Sequence, residues 1–115
     1  MAFELRRYRT VAGTEPFTQW LSELPDRHAG ARVLVRLERL ELGNFGDVRF
    51  LRDGVSELRI DWGPGYRVYF GRDGKMVIVL LCGGDKRSQD ADVERAVELW
   101  RDYENRKKRG PRARP

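Results

Sequence analysis

The chain has one cysteine, one histidine and no long apolar run. A lone Cys82 excludes an intramolecular disulfide. With His28 as the sole imidazole, no Cys/His spacing suggests a metal site, so neither metal nor cofactor is expected. No stretch approaches the roughly 18 apolar residues of a membrane span. The opening "MAFELRRYRT" carries charges where a secretory leader needs an apolar segment, so a cytoplasmic protein with no membrane partner is expected. No internal repeat is visible. At 115 residues the chain suits one domain with a modest core.

The net charge of +5 comes from 23 basic and 18 acidic residues. Six of the basic residues fall in "RKKRGPRARP", residues 106–115, and removing them leaves 17 against 18. The basic character therefore belongs to the tail, read here as disordered, and residues 1–105 form the domain. A tail of this kind adds affinity for a polyanion, or simply solubilises. Any claim of RNA binding by the body must rest on local geometry.

Hydrophobic spacing gives the elements. "FELRRY" alternates and reads as a first strand, with Phe3 and Leu5 opposite Glu4, Arg6 and Tyr8. Thr14 is a candidate N-cap for a helix carrying Phe17, Trp20, Leu21 and Leu24 on one face. After Pro25, Asp26 caps a second helix with a Val33, Leu34, Leu37 and Leu40 stripe that ends at Gly43. "VSELRID", "YRVYF" and "KMVIVLLC" read as three antiparallel strands joined by turns at "WGPG" and "RDG". A last helix, capped by Ser88 or Asp90, carries Val93, Ala96, Val97, Trp100 and Tyr103. The expected class is α+β in the order β-α-α-β-β-β-α, an antiparallel-dominated sheet with a helical hairpin on one face and a C-terminal helix. The other face is expected to stay at least partly open.

Period two then selects the candidate site. If Leu58, Ile60, Tyr66, Val68 and Phe70 face the helices, Glu57, Arg59, Arg67 and Tyr69 face away and become cross-strand neighbours. Lys86 lies just past the third strand, beyond Gly83 and Gly84. A solvated face with exposed ion pairs produces the same alternation. Two arginines, however, match the fork geometry that grips phosphate.

The segments "SELRIDWGPGYRVYF" and "VIVLLCGGDKRSQDADVERAVELW" resemble the RelE/ParE superfamily of bacterial toxins, in particular its HigB-like, phage-derived addiction-module-killer branch. The likeness spans about residues 1–105 and is strongest from Val55 to Trp100; the tail lies outside it. The resemblance implies a RelE-like fold and the toxin of a type II toxin–antitoxin system, neutralised by a helix-turn-helix, HigA-like antitoxin. It also implies cleavage of mRNA, usually on the ribosome. The alternatives it leaves are a ParE-like, non-enzymatic inhibitor of DNA gyrase and an inactive member that only binds its antitoxin.

RNA cleavage through the 2′-hydroxyl needs a proton acceptor, stabilisation of the phosphorane charge and a proton for the leaving oxygen. Under the resemblance, Arg67 and Arg59 clamp the phosphate and Lys86 is a second ligand or the proton donor. Tyr69 stacks on a base or bonds the phosphate, and Glu57 is the base or an orienter of the arginines. A lowered pKa would also let a phenol or lysine serve. His28 reads as a surface residue, whereas some superfamily members use a C-terminal histidine. Gln89 and Asp92 read as first-turn helix residues, and Trp62 as an exposed tip open to a base.

Overall fold

A computed structural model describes residues 2–109. The elements are β1 (Glu4–Arg7), α1 (Pro16–Ser22), α2 (Arg27–Glu41), β2 (Val48–Arg52), β3 (Val55–Ile60), β4 (Tyr66–Asp73), β5 (Val77–Asp85) and α3 (Gln89–Arg109). A 3-10 turn, Lys86–Ser88, joins β5 to α3. They build a mixed α+β fold on an open sheet of order β1-β5-β4-β3-β2, antiparallel except for the parallel β1–β5 pair.

β2 is a strand the sequence reading omits. Its pairing with β3 shifts register between Phe50 and Arg52, and a bulge of that kind destroys the period-two pattern that marks a strand. The turn that follows carries a recognisable signal. Asp53 (φ 51°) and Gly54 (φ 82°) are both left-handed, the backbone that tight hairpins favour.

α1 starts after Glu15, which makes no side-chain cap, while the Thr14 hydroxyl meets that of Thr10 at 2.7 Å instead. Asp26 does cap α2, accepting from the His28 backbone N–H at 2.9 Å. The buried stripe of α2 is Ala29, Val33, Leu37 and Leu40. Leu34 falls one position off it and is 45 % exposed.

The two faces of the sheet hold separate cores. On one, α1 and α2 cover Leu58, Ile60, Tyr66, Val68 and Phe70. On the other, Ala96, Val97 and Trp100 of α3 bury Val55, Tyr69, Val79, Leu81 and Cys82. The second face, expected to stay at least partly open, is therefore covered by α3 over its middle and open only toward the β3–β4 turn. An amphipathic helix of this length stabilises only by burying its stripe, at roughly 1.5–3 kcal/mol per large apolar side chain, and that face offers the apolar surface. Glycines let the helices approach. A Cβ at Gly71 would lie 2.4 Å from the Trp100 ring, and one at Gly83 only 2.3 Å from the Trp20 ring.

α3 runs to Arg109, and Arg106 is ion-paired with Asp102 at 2.8 Å. The ordered body thus extends beyond residue 105; residues 110–115 of the basic tail lie outside the described residues. None of the described helices is long and apolar enough to cross a membrane.

Candidate functional site

β3 and β4 set the candidate residues in register: Glu57 faces Tyr69 and Arg59 faces Arg67 as direct cross-strand partners. Their side chains meet two different environments. Toward the middle of the sheet, α3 closes over the face, and Glu57 is 1 % exposed, Arg67 7 % and Tyr69 0 %. Toward the β3–β4 turn, α3 no longer covers the strands, and Arg59 keeps 33 % of its side chain in solvent.

The buried part is an organised chain of polar contacts. Gln89 Nε2 donates to Glu57 Oε2 at 2.8 Å, and Arg67 Nη1 donates to the same oxygen at 3.0 Å. Gln89 reaches Glu57 because Gly84, opposite Arg67 on β5, lets the start of α3 lie flat. A Cβ at Gly84 would sit 1.8 Å from Asp92 Oδ2. Burying a charge requires a partner of opposite sign, and the Glu57 carboxylate supplies one for the Arg67 guanidinium. Glu57 is therefore buried behind Arg67 and does not line the cleft at the β3–β4 turn.

Tyr69 is corrected in the same way. Its hydroxyl lies buried with no hydrogen-bond partner, and burial, with the nearby Glu57 carboxylate, raises its pKa well above that of an ordinary phenol. It neither stacks on a base nor titrates near neutrality.

The open part is a cleft of about 450 Å³ at the β3–β4 turn, with Arg59, Arg67 and Lys86 in its lining. Lys86 is exposed, and its Cβ lies 3.5 Å from where a Cβ on Gly65 would stand, so the 3-10 turn abuts the Trp62–Gly65 turn. Asp47 and Asp61 also line the cleft. Asp47 Oδ2 is 3.7 Å from Arg59 Nε. Both carboxylates escaped the sequence reading: Asp47 precedes the unrecognised β2, and Asp61 directly follows β3, whose alternation directed attention to Glu57. The cleft can hold an anion between two guanidiniums and an ammonium, with carboxylates beside it to take a proton.

The remaining candidates stand apart. His28 is exposed on the first turn of α2, engaged through its backbone. Trp62 is half-buried; the Arg32 guanidinium stacks on its ring at 4.1 Å, and its indole N–H donates to Asp26 at 3.3 Å. Asp92 accepts from Ser88.

Comparison with known proteins adds the lineage. The family model of phage-derived, Gp49-like proteins matches residues 19–100. An uncharacterized protein of Haemophilus influenzae is 48 % identical over 89 residues, covering 77 % of this chain and 90 % of its own.

Proposed function

The chain belongs to the family of phage-derived Gp49-like proteins, that of the addiction-module killers, and on that premise we propose that it is the toxin of a type II toxin–antitoxin system and an endoribonuclease acting on mRNA. The observation that carries the enzymatic reading is the convergence of Arg59, Arg67 and Lys86 on one open cleft, with Arg67 held from behind by a buried carboxylate. Preorganised donors aimed at developing charge commonly contribute most to such catalysis, at about 3–4 kcal/mol each.

In this mechanism the substrate phosphate lies between Arg59 and Arg67. Asp47 or Asp61 accepts the 2′-hydroxyl proton, a role moved here from Glu57. The 2′-oxygen bonds to phosphorus, the P–O5′ bond breaks, and Lys86 protonates the departing oxygen. The products are a 2′,3′-cyclic phosphate and a free 5′-hydroxyl. The antitoxin would close the cleft with carboxylates opposing the arginines.

Translating ribosomes programmed with a defined mRNA test this reading. The expected result is cleavage leaving 2′,3′-cyclic phosphate ends. Intact mRNA together with inhibited supercoiling by gyrase would replace the reading with the ParE-like one. Intact mRNA and unaffected gyrase would leave a protein that only binds its antitoxin.

A further inference from the structure

A second cleft, of about 380 Å³, adjoins the first and shares Asp47, Arg59, Ile60 and Asp61 with it. Its far wall is α2, which contributes Arg32, Arg36 and Arg39. These residues are spaced i, i+4, i+7 and so lie along one side of the helix. Their span is about 10 Å along the axis.

Two of the three arginines are already positioned. Arg32 is stacked on Trp62, and the Arg36 guanidinium donates to the backbone carbonyls of Phe45 at 3.3 Å and Arg59 at 3.4 Å. Among the described residues, none of the three lies in an ion pair with a carboxylate. A merely solvated charge run does not pin its guanidiniums in this way. The two clefts together set six basic side chains against two carboxylates.

The geometry points to a single-stranded RNA track: the nucleotides flanking the scissile phosphate leave the first cleft past Arg59 and lay their backbone phosphates along Arg32, Arg36 and Arg39 of α2. The track rests on the nuclease reading and adds to it a binding segment that reads phosphate and not base, so its contribution is uniform across sequences.

The test uses the full chain and fluorescein-labelled 2′-O-methyl oligonucleotides, which lack the attacking hydroxyl, at lengths of about four and about twelve nucleotides. Anisotropy is followed against salt. The wild-type chain is expected to bind the longer probe at least tenfold more tightly than the shorter. The doubly substituted Arg32→Gln/Arg39→Gln chain, altered at two exposed positions, should lose that advantage. Its salt slope for the long probe should fall by about 1.4, twice the ~0.7 of one single-strand phosphate contact, while the short probe binds as before. An unchanged long-probe affinity and slope in a variant with wild-type melting overturns the track and leaves the first cleft standing. Failure of the wild-type chain to bind either probe also overturns the track, while the nuclease reading stands or falls separately on cleavage of ribosome-bound mRNA.

Discussion

Arg67 donates to Glu57 at 3.0 Å in a pair that is almost wholly removed from solvent. Removing one partner of such a pair strands the other charge, whereas replacing both with apolar groups is often neutral. Arg67→Ala is therefore expected to cost about 3–5 kcal/mol of stability. Arg67→Met combined with Glu57→Leu should recover most of that loss in urea unfolding while remaining inactive. If the single variant unfolds like the wild-type chain, the pair is not the structural unit described.

Gln89 acts one step further back, since it touches Glu57 and not the cleft. A hydrogen bond to a charged group contributes about 1.5–3 kcal/mol. Gln89→Leu should destabilise by that order and lower the cleavage rate without changing the affinity for a non-cleavable oligonucleotide. A variant with weakened binding and an unaltered rate would place Gln89 in contact with substrate instead.

Tyr69 offers a sharper separation of roles. Its hydroxyl is buried and unpartnered, and such a group costs about 1–3 kcal/mol to keep. Tyr69→Phe is expected to match or exceed wild-type stability and to cleave at the wild-type rate. A loss of activity in a stable Tyr69→Phe chain would return the phenol to the chemistry.

Acid stability follows from the contacts that tie α3 to the sheet. Asp102 has its pKa lowered by the Tyr8 hydroxyl, which donates at 2.6 Å, and by Arg106; that of Asp73 is lowered by Lys107 and by the Tyr103 hydroxyl. A carboxylate with a depressed folded pKa stabilises the fold fully above its unfolded value and loses that contribution as pH falls through the folded one. Stability should therefore decline as the pH drops from the ordinary value of 3.8 through these lower values. Asp102→Asn should flatten that decline in pH-dependent melting, and an unchanged acid limb would refute the assignment.

Cys82 is buried under α3, and burial pushes its thiol up to about 12. The native chain should resist a thiol reagent at neutral pH and react once unfolded. Rapid labelling of the folded chain would mean that α3 lifts readily from the sheet.

The sequence carries the first and second helices, the β3–β4–β5 meander and the facing of Glu57, Arg59, Arg67 and Tyr69, because period two and the turn residues speak directly to them. It does not carry β2, whose bulge breaks the alternation. Nor does it assign a side of the sheet to α3. Alternation states which residues share a face, whereas which helix covers that face is a long-range matter decided by apolar area. Here Tyr69, Val79, Leu81 and Cys82 supply that area. The glycines at 71, 83 and 84 hold part of this information, since each marks a close approach by an α1 or α3 side chain.

Arg59 gives the most direct test of the cleft as the place where RNA is cut, because it lines the open end and its loss strands no buried charge. For Arg59→Ala, cleavage of ribosome-bound mRNA should fall by about 100- to 1,000-fold, with unfolding free energy within about 0.5 kcal/mol of wild type. Undiminished cleavage by that folded variant would contradict the account.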